Sequence, residues 1–272
     1  MKLKTIIFLA IFSLTSSRAF AGLSVTCSLF PVYDFTRSIT GTLADVKLLL
    51  PPGIEPHEYE PSPRDIKALN DSDVFVFTGA EMEAWSAKIS LPHTKKVNAS
   101  EGIALVNNDP HVWLDISLSK KMAKNILEAL CSVDPENSSS YRDNYDKFCE
   151  RLDEIDAKFM KMTKNKALVF AGEFSAGYFM RRYGFDYVSA YDGENEPSVK
   201  RMAEILRYIK EHKTRYIFTD TGAIPPVTRE ISSQSGAEIL TFATGHNVPD
   251  TDTTFIGMMT ENYHHVQEAM ND

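Results

Sequence analysis

The arrangement of apolar segments constrains the fold of this 272-residue chain more than any other feature. Two runs of alternating strands and helices flank a stretch that is helical throughout. In the first run LSVTCSLF (23–30), DVKLLL (45–50), DVFVFTG (73–79) and KKVNAS (95–100) read as strands, from their β-branched and aromatic content and bounding turn residues. PVYDFTRSIT (31–40), SPRDIKALN (62–70) and EMEAWSAKI (81–89) read as helices, the second with Ser as cap and Pro at its first position. The second run repeats the alternation, with strands at 167–172, 185–191, 215–220 and 237–242. Its helices fall at 175–183, 197–212, 225–235 and 253–270. Such alternation implies parallel sheets with right-handed crossovers.

Between the runs, LSKKMAKNILEALC (118–131) and YRDNYDKFCERLDEIDAKFMKM (141–162) carry apolar residues at helical spacing. Tyr145, Phe148, Leu152, Ile155 and Phe159 form one stripe of the latter, read as a core face. A helix of this size is about 35 Å long, comparable to a domain, and without Gly or Pro it is stiff. The expected fold is therefore α/β. It has two lobes, each with a mostly parallel four-stranded sheet flanked by helices, joined by a long rigid backbone helix. The corresponding boundaries are 22–117 for the N-terminal lobe, 118–165 for the helical linker and 166–272 for the C-terminal lobe.

Residues 1–21 read as a secretory signal peptide, expected to be cleaved before Gly22. Lys2 and Lys4 precede an apolar run from Ile6 to Leu14, and Ala19-Phe20-Ala21 supplies the small-x-small site. That run is well short of the ~20 residues a membrane span needs. Removing it takes away Lys2, Lys4 and Arg18 and leaves 26 basic side chains against 37 acidic ones, a net charge of −11. An acidic exported protein is poorly suited to nucleic acid or anionic lipid. The residues before Cys27 do not form a lipid-attachment site, which argues for a free periplasmic form. Cys27, Cys131 and Cys149 read as unbridged structural side chains, since helix lengths put the latter two too far apart for a disulfide.

In open parallel sheets, ligands bind just past the carboxyl ends of the strands. His57, in the proline-braced PPGIEPHEYEPSPRDI, follows the second strand, and His111, in DPHVWLD, follows the fourth. Glu173, in FAGEF, follows the first strand of the second run, and His246, in FATGHN, follows its last. Each half thus offers two metal-competent side chains at the rim where the sheets face one another. Three imidazoles and a carboxylate suit Zn²⁺. Asp250 and Asp252 are rivals of His246 for the fourth position, as is water. Asp115 and Asp220 read as hydrogen-bonding partners of ligating imidazoles, and Trp113 as packing beneath the site. His93, His212, His264 and His265 read as surface side chains.

The motifs PHEYEPSPRDI, DPHVWLD and GYFMRRYGF, in that order around a central helix, resemble those of the zinc- and manganese-binding solute-binding proteins of bacterial metal ABC importers, the cluster A-I type. The resemblance covers nearly the whole chain after residue 21. It implies metal-ligand roles for His57 and His111. A third family ligand, histidine or glutamate, matches Glu173. The family's usual fourth ligand, an aspartate directly after the last strand, falls on Ala243, and His246 three residues later matches a variant subgroup.

The function implied is high-affinity capture of a divalent metal between the lobes and delivery to a membrane permease. The protein is expected to be a monomer without enzymatic activity, and its metal Zn²⁺, with Mn²⁺ as the alternative that Glu173 leaves open. A zinc-dependent hydrolase with Glu173 as general base is a reading from another class. It requires an open coordination position, and no helix carries a paired catalytic motif. A binding protein for a haem or metal chelate, or an adhesin that keeps metal structurally, is a third.

Overall fold

The computed structural model describes residues 22–51, 54–172, 174–191, 197–246 and 252–271, so the signal segment lies outside the described residues. Strands β1 (Leu23–Cys27), β2 (Ala44–Leu48), β3 (Val74–Phe77) and β4 (Lys95–Asn98) form one sheet in the order β2-β1-β3-β4. A second sheet has β5 (Leu168–Phe170), β6 (Tyr187–Ser189), β7 (Tyr216–Thr219) and β8 (Glu238–Thr241) in the order β6-β5-β7-β8. Every described pairing is parallel. The two sheets share one topology, and each reverses its winding beside its first strand, the place where α/β sheets open a crevice. Helices cover the sheets, which is why Val74-Phe75-Val76 and the whole of β7 are buried.

The helices are α1 (Phe30–Thr40), α2 (Pro63–Asn70), α3 (Ile116–Val133), α4 (Ser138–Met160), α5 (Gly177–Tyr183), α6 (Val199–His212), α7 (Pro226–Ser235) and α8 (Phe255–Asn271). Local chemistry sets several of their ends. Ser62 and Asp65 form a reciprocal capping box before Pro63, each side chain binding the other's backbone N–H. The Ser198 hydroxyl accepts from Arg201 N at 3.2 Å. Gly184 ends α5 in the left-handed region at φ 68°, where its N–H reaches Met180 O at 2.9 Å.

The segment 81–89 departs from its helical expectation and forms only a 3-10 turn over Ala84–Ala87. Gly79, Ala80 and Glu81 all adopt positive φ, at 77°, 54° and 69°. The chain wraps around the buried Glu83 carboxylate, which accepts from Thr78 N at 2.9 Å, Gly79 N at 3.0 Å and the Ser28 hydroxyl. A buried carboxylate so supplied outweighs the apolar periodicity of the segment.

The spine helix α4 buries Tyr141, Phe148, Leu152, Ile155 and Phe159, while Tyr145 is only partly covered. One apolar core runs from β1 and α1 through α3 and α4 to α5, β7 and α8. A smaller cluster of Val169, Ala171, Ile205, Ile209, Ile217 and Ile231 lies between the second sheet, α6 and α7. Helix α8 contacts β8 of its own sheet and also packs on α4 and α1, where Phe255 meets Phe35 edge-on with ring centroids 5.0 Å apart. Cys27, Cys131 and Cys149 are all free thiols.

Candidate metal centre

The proline-rich segment after β2 turns once as a 3-10 helix over Pro56–Glu58, and the Glu55 carboxylate accepts from His57 N at 3.2 Å. Pro56 is buried and His57 exposed, so the turn is anchored by the ring and presents the imidazole. The segment after β4 reaches His111 through Asp109-Pro110. The Asp109 carboxylate accepts from His111 N at 3.0 Å and pairs with ring Nδ1 at 2.7 Å. That contact assigns the proton to Nδ1 and leaves Nε2 as the free lone pair. His246 lies five residues beyond the end of β8 and, like His111, is 7% exposed.

These three loops converge. Each of His57, His111 and His246 offers a ring nitrogen, and the three atoms lie within 4.8 Å of one another. Ring centroids are 5.6 Å apart for His57–His111, 5.5 Å for His57–His246 and 4.8 Å for His111–His246. Nε2 of His111 and Nε2 of His246 are buried without a hydrogen-bond partner among the described residues. An unsatisfied buried polar atom costs about 1–3 kcal/mol, so two side by side mark a place for an electrophile. Burial first, and the neighbouring His111 and His57 charges next, hold the His246 pKa well below the usual histidine value. His246 is therefore a neutral donor, the form a metal requires.

The surrounding groups fix the geometry. Trp113, fully buried, packs its ring 5.3 Å from that of His111 and 5.9 Å from that of His246, and donates from Nε1 to Thr244 O at 2.7 Å. Asp220, beyond β7, accepts from Thr244 N at 3.0 Å and from the Thr244 hydroxyl. Burial raises its pKa, against the pull of those hydrogen bonds.

Glu173 and Asp250, both sequence candidates, lie outside the described residues. Asp252 is exposed and stands apart from the imidazole group. Two supporting roles read from sequence are corrected by these contacts. Asp115 caps α3, accepting from Ser117 N at 2.8 Å, and pairs with Arg182 at 3.1 Å rather than with an imidazole. Asp220 acts on the Thr244 backbone instead of on a ring. Asp109 takes the imidazole-orienting role. Its signal was present in the sequence, as an acceptor two residues before His111 and placed for a local turn. Of the remaining histidines, His265 Nδ1 is 2.7 Å from Thr241 O and His212 Nδ1 is 3.0 Å from Tyr208 O.

The family described as "ZnuA: Zinc-uptake complex component A periplasmic" matches residues 25–269. The high-affinity zinc uptake system protein ZnuA of Bacillus subtilis is 31% identical over 280 residues, 91% of this chain and 88% of that protein. The zinc-binding protein AdcA of Streptococcus pyogenes is 29% identical over 79% of this chain, and the matched part is about half of that longer protein, 48% of its length. Among solved structures, the Zn(II)-bound ZnuA-like domain of Streptococcus pneumoniae AdcA superposes with a TM-score of 0.80 at 27% identity, covering 92% of this chain and 100% of that one. The two equivalent parallel sheets and the match across residues 25–269 establish that this chain belongs to the ZnuA family.

Proposed function

We propose that this protein captures Zn²⁺ in the crevice between its sheets and hands it to the permease of an ABC importer. The convergence of three imidazole nitrogens within 4.8 Å carries the reading. Zn–N bonds are about 2.0–2.1 Å long, and donors about 3.3–3.5 Å apart sit tetrahedrally around one ion, so small ring movements complete the shell. His111 and His246 form the buried wall, and the exposed His57 is the ligand that faces the entering ion. Glu173 is the fourth ligand in this proposal, which places a fully protein-supplied shell around the cargo. A carrier of this kind keeps no labile water and performs no catalysis.

Three nitrogen donors favour Zn²⁺ over Mn²⁺, which prefers oxygen ligands. The zinc uptake and zinc-binding names of the relatives point the same way. The reading places the mature protein in the periplasm after cleavage of residues 1–21, as a monomer with lobes at 22–117 and 166–272 joined by 118–165. Among the described residues no helix is long and apolar enough to cross a membrane.

Titration calorimetry of the purified protein against Zn²⁺ and Mn²⁺ tests the proposal. One tight Zn²⁺ site is expected, lost in His111→Ala and His246→Ala and weakened in His57→Ala and Glu173→Ala. Unchanged binding in the His111 and His246 variants would refute it, and tighter binding of Mn²⁺ would reassign the cargo.

A further inference from the structure

His246 belongs to the second half of the sequence, and its loop is held from both halves: Asp220 and Asn262 bind Thr244 and Ala243, while α1 and Trp113 press on it from the first half. Gly245 adopts φ +92°, and a Cβ there would stand 3.2 Å from the Pro31 ring, 3.6 Å from the Phe30 ring and 3.6 Å from Trp113 Nε1. The loop backbone is thus pressed onto the first turn of α1. Trp113 donates to Thr244 O from the same side. One turn further along α1, the Asp34 carboxylate, 2% exposed, accepts from Phe255 N at 2.9 Å. Phe255 is the first residue of α8, so Asp34 binds one of the free N–H groups of that helix across 221 positions of sequence. Within α8, the fully buried Asn262 accepts from Ala243 N at 2.7 Å and donates to Ala243 O at 2.8 Å. Gly245 before His246 and Phe255 at the start of α8 are therefore both held against α1.

We propose that Asp34 is a positioning residue for metal binding, acting with Gly245 to mount His246 on the N-terminal lobe beside His57 and His111. The inference rests on the metal-carrier reading of the three histidines and goes beyond it. On this reading α1 and α8 hold the His246 loop towards His57 and His111, while Asp220 ties the same loop to the second sheet. Asp34 supplies an acceptor that no apolar residue replaces, and its bond fixes where α8 begins. Asn262 and Ala243 transmit that position to the loop. Gly245 supplies the close approach to Phe30 and Pro31 that any side chain would obstruct.

The test compares Asp34→Ala, Asp34→Asn and Gly245→Ala with Ile209→Ala, a truncation in the separate small core. Zn²⁺ affinity is read by competition with a chromophoric chelator. Coordination geometry is read from the visible absorption of Co²⁺ in the same site. Loss of a group that orients a ligand costs about 10-fold to 100-fold in metal affinity. Asp34→Ala is expected to show that loss with an altered Co²⁺ band, and Asp34→Asn, which keeps an acceptor oxygen, to recover most of it. Gly245→Ala is expected to behave like Asp34→Ala and serves in its place if the latter does not fold. Ile209→Ala should lose thermal stability while keeping both metal readouts. Wild-type affinity and spectrum in Asp34→Ala and Gly245→Ala would overturn the inference, as would an equal loss in Ile209→Ala. Failure of the wild-type protein itself to bind Zn²⁺ or Co²⁺ would instead overturn the carrier reading beneath it.

Discussion

At the scale of single residues, His246 combines burial with a free ring nitrogen, and both properties have measurable consequences. Its folded pKa lies well below the ordinary value. The unfolded chain therefore binds a proton that the folded protein refuses, and stability falls as pH drops below about 6.5 towards the folded value. Thermal melts of the zinc-free protein should show Tm decreasing from about pH 7 to pH 5, with a shallower decrease in His246→Asn, which cannot take up that proton. Equal slopes would count against the burial of this ring. Cys27 offers a second test. Burial pushes its thiol up to about 12, and the residue is fully enclosed. Thiolate is the reactive form, so iodoacetamide should leave Cys27 unmodified in the native protein and alkylate it after denaturation. Peptide mass spectrometry distinguishes it from Cys131 and Cys149.

Among the elements, α5 ties the spine to the metal side of the molecule. Arg182 grips Asp156 of α4 through two bonds of 2.7 and 2.6 Å and reaches Asp115, the cap of α3, at 3.1 Å. The Tyr183 hydroxyl adds a third bond to Asp156 at 2.7 Å. Burial alone would raise the Asp156 pKa, but the hydrogen bonds from Arg182 and Tyr183 reverse this and hold it below the usual carboxylate range. Arg182 and Asp156 are 17% and 16% exposed, so removal of one partner strands a mostly buried charge. Arg182→Ala should cost about 3 kcal/mol in a denaturant titration. A loss within the range of a surface pair, about 0–1 kcal/mol, would show that the network is solvated. Because the folded pKa of Asp156 is depressed, its contribution is present above the unfolded value near 3.9 and is lost as pH falls below it. At the start of α5, Gly177 leaves room for the orienting carboxylate of His111, since a Cβ there would come within 2.9 Å of Asp109 Oδ2.

For the whole molecule, the continuity of the core decides how the two sheets respond to heat and to cargo. The apolar cluster passes through α4 without a break, with Phe159 contacting Phe179, Tyr183 and Tyr263 at centroid distances of 4.8, 4.9 and 5.5 Å. The small cluster under α6 and α7 is separate, but the same sheet sends Leu168, Phe170 and Phe218 into the main core, which couples the two halves. Calorimetric unfolding is expected as one cooperative transition, and two resolved transitions would contradict this. Zn²⁺ at about 100 times its Kd should add roughly 2.7 kcal/mol to the folded state, with the transition moving upward as a unit. In His111→Ala the upward shift should disappear.

Most of the architecture was legible along the chain because it follows from local patterns. All eight strands and the two spine helices carry apolar periodicity bounded by caps and turns, and parallel pairing follows from their alternation with helices. The segment 81–89 escaped this reading, since three left-handed residues and a buried Glu83 override a helical pattern that extends for only a few residues. Position at strand ends marked His57, His111 and His246, because loops at the carboxyl edge of a parallel sheet must face the crevice. Sequence could not assign the more distant of their supports. That Asp220 holds Thr244 and that Asp34 reaches α8 are outcomes of contacts across 24 and 221 positions, whereas the Asp109–His111 pair is local. Periodicity encodes which face of an element is buried, whereas hydrogen bonds between distant loops depend on how whole elements dock, and only the folded structure specifies that.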